Sequence, residues 1–462
     1  MTDGNAVTDG PTPPGHPDWV RAQLGGLLDF CAAAADWQDG GFDGLTITGR
    51  RQPGPKHLYA TARMTYGFTL GVMLGRPGCA ELAEHGLQAL RTIFHDDSHG
   101  GWFAELSGDP RSVTVARKET YGHAFVLLAA STAAQAGLAA GDLLKEATEI
   151  FDRWLYDESA TLCVDSWDEG WQEPDSYRGL NANMHAVEAF LAAYCATGQA
   201  AYLRRAGAIS GRLVGFAAPR QWRIPEHFTA DWQPLPDYHR DRPGDGFRPF
   251  GATPGHGLEW ALLLLQLRLI VPGEAGGLLA AATELFRRAV ADGWDASRCG
   301  FAYTVDWQGR EVSSQRLHWP LAAGHRRGAL SRGGDRAAWV RGLVRHLLAG
   351  GRPVLRRPPG RQLVARAGHL RQARRHDLAR QVRPLSRAQR PAAQPAAPRA
   401  GRRGRPGRAG WLRAPARPPL TGRRERTPAA RPGPPAAARP RPGQEPGGRA
   451  SGAGCRSVPS RR

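Results

Sequence analysis

The sequence predicts an all-α fold: helical hairpins closed into an (α/α)6 barrel, incomplete at its C-terminal end, then an Arg/Pro/Gly/Ala-rich tail. Three observations carry this. Similar loops recur about every sixty residues, two apolar helical segments lie between successive loops, and the charge of the chain changes sign near Leu321.

The first long helix is expected from about His16 to Asp36 and closes on Asp39-Gly40-Gly41-Phe42. Its signature returns about sixty residues later as His99-Gly100-Gly101-Trp102-Phe103, again at Asp157 to Leu162, and at a further multiple in Arg298-Cys299-Gly300-Phe301. LYATARMTYGFTLGVML with CAELAEHGLQALRTIF, and TYGHAFVLLAASTAAQAG with DLLKEATEIFDRWL, read as two amphipathic helices per unit. A fixed period with one hairpin per unit marks a stacked or closed helical array. About nine helices are complete by Trp294 and a tenth starts near His318, so about nine to ten of twelve are present. CGFAYTVDW fits a hairpin decorating one rim. An open solenoid is the alternative, and polar and aromatic residues clustering at helix starts favour a ring around a pocket.

Composition divides the chain. The whole carries +20, but the segment from Ala322 to Arg462 holds 35 Arg, no Lys and 4 acidic residues, a charge of +31. The first 321 residues hold 27 basic and 38 acidic side chains and are therefore acidic, at −11. The expected domains are a flexible N-terminus at 1–15, the barrel at 16–321, and a disordered tail at 322–462. Cys31, Cys79, Cys163, Cys195 and Cys299 show no metal spacing and read as buried free thiols of a reducing cytosol. No export signal or membrane-length apolar run is seen, so a cytoplasmic protein is expected.

Polar residues gather at the helix starts. In FRPFGATPGHGLEW, His256 and Glu259 stand three apart on one helical face behind Pro254-Gly255, a spacing that suits an acid/base histidine with a carboxylate beside it. The bland reading is a capping histidine and a solvated glutamate. Arg63 lies in an apolar helix and either faces a polar ligand or snorkels to the surface. Of Tyr121 and His123, one should face the pocket and the other pack. Asn181, Asn183 and His185 crowd a helix start with Glu188 one turn on; one Asn is explained as a cap, and the other polar groups look ligand-facing. Arg248 and Glu226-His227 add polar groups before the central stretch, and Trp319 offers an aromatic wall for a sugar. Together they suggest a polyhydroxyl pocket.

The motifs ARMTYGF, KETYGHAFVLLAAS, YRGLNANMHAVEAFLAAYCATG, EHFTADWQPLPDY, FRPFGATPGHGLEWALLLL and RLHWPL run in order over about residues 17 to 321. In them the chain resembles the N-acylglucosamine 2-epimerase superfamily, and within it the mannose and sulfoquinovose aldose–ketose isomerase branch. The resemblance implies an (α/α)6 barrel without metal or nucleotide cofactor, acting on a small sugar. It implies Arg63, Tyr121, Asn181 and His185 as sugar contacts, Trp319 as pocket wall, and His256 as a catalytic acid/base with Glu259 as its partner. The implied reaction is ring opening followed by proton transfer between carbons 1 and 2 through a cis-enediol.

One family feature is missing. A second histidine, in a W-P-G-K-x-D-x-Y-H-type motif after G-S-W-x-H-E-L, does not follow HWPL; the chain turns instead to AAGHRRGALSRGG. Codons can be chosen for Gln362 to Arg390 so that a one-nucleotide shift reads SWWHELDTSGKPGDTTWPGKSDLYHALNA, which is the missing segment. A frameshift between about Leu321 and His325 is therefore expected, with impaired activity in the chain as written. Three other functions remain to be separated: a 2-epimerase acting on N-acylglucosamine or a cellobiose-type disaccharide, a glycoside-processing barrel using two carboxylates, and a basic binding protein reading nucleic acid through its tail.

Overall fold

The computed structural model describes residues 17–109, 112–271 and 275–323. The expectations for 1–15 and for nearly all of 322–462 lie outside the described residues. Nine α-helices occur among the described residues: α1 (Pro17–Ala32), α2 (Leu58–Met73), α3 (Cys79–Arg91), α4 (Thr120–Gln135), α5 (Gly141–Ile150), α6 (Leu180–Thr197), α7 (Ala200–Ala217), α8 (Pro254–Ile270) and α9 (Ala275–Gly293). A further short helix begins at 318, near the expected tenth start, and its described part runs to 323. The first helix stops at Ala32, four residues short of its expected end, because the chain turns there to make the Ala35–Phe42 bridge.

Packing sorts the helices into two layers. α2, α4, α6 and α8 contact one another in succession, and each packs on the helix that follows it in sequence. Thirteen of the sixteen residues of α4 are buried, against three of the ten of α5. The expectation of two amphipathic helices per unit therefore holds for the outer layer alone. An inner helix is walled by neighbours on several sides and has no polar face to show. Thr65 and Thr69 stay inside α2 because they return their hydroxyls to backbone carbonyls four residues back.

The sixty-residue repeat has a physical basis. Asp36 and Asp96 each accept backbone N–H groups two and three residues on, closing the loops that the paired glycines turn. Gly40-Gly41 and Gly100-Gly101 all have positive φ, which explains the glycine pair. Buried Lys56 reaches Asp36 at 2.8 Å and Asp43 at 3.0 Å, and buried Lys118 reaches Asp96 at 2.6 Å. Asp157 and Asp295 close the later loops in the same way.

Short strands tie successive units along one rim. Lys56–His57 pairs with Glu105–Leu106, Lys118–Glu119 with Ser166–Trp167, Arg178–Gly179 with His227–Phe228, and Ala252 bridges to Val305. Each inner helix thus leaves an extended residue, and in three of them the first N–H is held by the next unit: Leu58 by the carbonyl of Ala104, Thr120 by Asp165, Leu180 by Glu226; α8 begins with Pro254, which has no N–H. This register places Ala104, Asp165 and Glu226 at equivalent positions around the rim. Two of the five cysteines called free thiols, Cys79 and Cys163, are buried; Cys31 and Cys299 are half-buried and Cys195 is exposed, so the expectation of burial holds for part of the set. Among the described residues, no helix is long and apolar enough to cross a membrane.

Candidate active site

The inner helices start in register, so equivalent positions in them meet at the same end. Their second residues are Tyr59, Tyr121, Asn181 and Gly255, and their sixth are Arg63, Phe125, His185 and Glu259. Positions four apart share a helical face, and these residues do converge. Arg63 Nη1 donates to the Tyr121 hydroxyl at 3.4 Å, and its guanidinium lies 4.8 Å from the Phe125 ring centre. The His185 ring is 5.2 Å from Tyr121 and 4.6 Å from Phe125, and its Nδ1 is 3.1 Å from Glu188. Tyr59 and Phe247 close the cluster, at 5.5 and 6.3 Å from Tyr121.

Arg63 remains exposed, although Tyr121 and Phe125 pack against its guanidinium. Burial works against its charge, but Tyr121, Glu259 and Glu188 outweigh that and raise its pKa. Burial pushes Tyr121 up to about 12, with Arg63 opposing, so the phenol stays protonated and serves as a donor. His318 also faces this charge: burial first, then Arg63, lowers its pKa.

His256 is the third residue of α8. The indole of Trp319 lies 5.5 Å from its ring, tilted by 32°. His256 Nδ1 stands 3.0 Å from Glu226 Oε1, close enough for an ion pair, though neither atom completes an aligned hydrogen bond. Burial pulls the imidazole pKa down, but the Glu226 carboxylate, helped by Glu259, leaves it above the usual histidine value. The expected partner, Glu259, contributes to this field and to that at Arg63; the carboxylate in contact is Glu226. A spacing of three along α8 reports only local neighbours, whereas Glu226 arrives through the pairing of His227–Phe228 with Arg178–Gly179.

The remaining candidates sort by their contacts. His123, not Tyr121, is the packing residue. It accepts from Trp102 N–H and reaches the Glu119 carbonyl, and burial lowers its pKa to about 3. Asn183 is structural: its amide holds both backbone groups of Cys163 and the Gly179 carbonyl, while Asn181 lies half-buried at the rim. Arg248 is engaged by Asp165 at 2.9 Å and lies 3.8 Å above the Tyr177 ring, bracing the loop that carries Phe247. Tyr59, Phe125 and Phe247 were not singled out from sequence; the signal for the first two was the four-residue spacing from Tyr59 to Arg63 and from Tyr121 to Phe125, and Phe247, in a loop, carried none. Among the described residues, Asp96, His99 and Glu169 have spacing that could hold a metal, but Asp96 already accepts from Lys118.

Paired helices with polar and aromatic side chains converging at one end form the kind of site that holds a small polar ligand. Residues 40–338 match the family model of N-acylglucosamine 2-epimerase, and the chain belongs to this family of sugar epimerases and isomerases. It is 44% identical over 312 residues to a D-mannose isomerase of Thermobifida fusca, a match covering 66% of this chain and 76% of that protein. A D-mannose isomerase of Pseudomonas cannabina pv. alisalensis is 41% identical over 314 residues, covering 66% and 75%. A solved D-mannose isomerase structure superposes with TM-score 0.69 and 27% identity over 74% of this chain and 88% of that one. The cellobiose 2-epimerase of Spirochaeta thermophila, at 20% identity and TM-score 0.61 over 75% and 88%, shares the fold.

Proposed function

We propose that residues 16–321 form the barrel of an aldose–ketose isomerase that converts mannose, or a hexose like it, to the 2-ketose. The observation that carries this reading is His256: a partly buried imidazole with a carboxylate at 3.0 Å, set against the indole of Trp319. The identity to two D-mannose isomerases supports mannose as the substrate.

The chemistry follows from the side chains. A pyranose opens when its ring oxygen gains a proton and its C1 hydroxyl loses one. A proton then leaves C2 and is delivered to C1 through a cis-enediol. His256 is a proton-transfer residue, with a pKa raised toward its task. Arg63, joined to Tyr121, offers fixed positive charge and a hydroxyl donor to the oxygens on which negative charge grows. His185 and Asn181 bind hydroxyls, and Trp319 stacks on the apolar face of the sugar. Glu259 supports the field at Arg63 and His256. The partner is the sugar alone, with no cofactor, nucleic acid or membrane, and the setting is the cytoplasm.

The chain as written lacks the second-histidine motif, so its activity is impaired by the tail at 322–462. The test compares it with a frame-restored chain, in which the shifted reading replaces the sequence after Leu321. Mannose given to the restored chain should yield fructose. Glucose as the main product would make the protein a 2-epimerase, and equal activity of the two chains would refute the impairment.

A further inference from the structure

Glu226 presents an electrostatic problem that one neighbour solves. Its side chain is 4% exposed, and its Oε1 lacks an aligned hydrogen bond. A buried carboxylate is costly unless a cation faces it. The basic groups on neighbouring segments are engaged elsewhere. Arg178 donates to the carbonyls of Asp175 and Tyr177, Arg223 pairs with Asp292 at 2.8 Å, and Arg248 pairs with Asp165.

His227, the next residue, uses both ring nitrogens. Nε2–H donates to the Pro249 carbonyl at 2.7 Å, because a carbonyl can only accept, and Nδ1 accepts from the Tyr177 hydroxyl at 2.7 Å. Burial lowers its pKa, so it stays neutral. Among the described residues, the titratable groups acting on His256 are Glu226 from the strand segment and Glu259 from its own helix, and the other ring packed on it is Trp319. The placement is built into the barrel. Glu226 and Asp165 occupy equivalent rim positions, and each holds the first N–H of an inner helix through its carbonyl. Asp165 uses its carboxylate on a permanent cation, Arg248, whereas Glu226 turns its own to an imidazole.

We propose that Glu226 is the positioning residue of His256: its carboxylate fixes the imidazole through Nδ1 and holds the resting ring in its protonated form, so that Nε2–H meets the sugar as an acid. This rests on the reading of His256 as the proton-transfer residue, and it deepens that reading by giving the ring a starting state.

The test is the protonation state of His256 in the full chain, read by 15N chemical shifts of labelled histidine, with the His256→Asn chain identifying the resonance. The expected result at neutral pH is an imidazolium with both nitrogens protonated, and a neutral ring there overturns the proposal. In Glu226→Gln the titration midpoint should fall by about one unit or more, the usual effect of removing an opposite charge at this range. Glu226→Asp should restore part of the shift. An unchanged midpoint in Glu226→Gln would leave Glu226 a purely structural residue. If Glu226→Gln does not fold, the wild-type shifts still decide. No arm requires turnover, so failure of the isomerase reading, seen as absence of fructose from the frame-restored chain, is separable from failure of this one.

Discussion

The indole of Trp319 occupies the space where a Cβ on Gly255 would stand: such an atom would lie 2.2 Å from Trp319 Cη2 and 3.0 Å from Pro320 Cγ. The glycine before His256 is therefore what allows the 318–323 helix to lay its aromatic ring on the first turn of α8. Gly255→Ala should displace Trp319 and cost about 1–3 kcal/mol of stability, the usual range for overpacking. In the frame-restored chain it should also raise the KM for mannose. Denaturant unfolding and steady-state kinetics measure the two effects, and an unchanged KM would remove Trp319 from the pocket wall.

Lys118 and Asp96 form a buried pair at the base of the second repeat loop. Lys118→Met should cost about 3–5 kcal/mol, because it strands a buried carboxylate. Adding Asp96→Asn should recover part of this loss, although it also weakens the loop hydrogen bonds. Urea unfolding of the single and double variants provides the comparison. A Lys118→Met chain of wild-type stability would contradict the anchoring role of the loop.

The first repeat predicts an acid limb of stability. Burial alone would raise the Asp36 pKa, but Lys56, Arg51 and the Asp39 N–H hold it at about 2. The folded pKa lies below the unfolded one, so the stabilisation is fully present above about pH 4 and fades as pH falls toward 2. Asp36→Asn should remove about 2 kcal/mol at neutral pH and flatten that limb. Unfolding free energies measured across this range test it.

How much of this could be read along the chain differs by residue. The period of about sixty was visible because Asp36 and Asp96 need the same glycine pairs to close the same loop. Arg63 and His185 were visible as polar groups in apolar helices. The roles of Asn181 and Asn183 were not separable, since two positions in one helical turn look alike until the direction of Cys163 is known. Glu226 was noticed only as a polar residue. Its contact with His256 spans thirty residues and depends on strand register, which a spacing along one helix does not contain.

Arg63 should be intolerant of exchange. Its guanidinium contacts a phenol and the face of a phenyl ring together, a geometry an ammonium does not reproduce. In the frame-restored chain, Arg63→Lys should lower kcat/KM for mannose by about 10²-fold or more, the scale of losing one fixed electrostatic donor. Retention of activity in Arg63→Lys would mean the charge alone suffices.

The most direct measurement is the rate of fructose formation from mannose by the frame-restored chain and by its His256→Asn variant. The account predicts conversion by the first and a loss of at least about 10²-fold in the second, the contribution of a positioned acid/base. A His256→Asn chain within tenfold of its parent would contradict the assignment of proton transfer to His256.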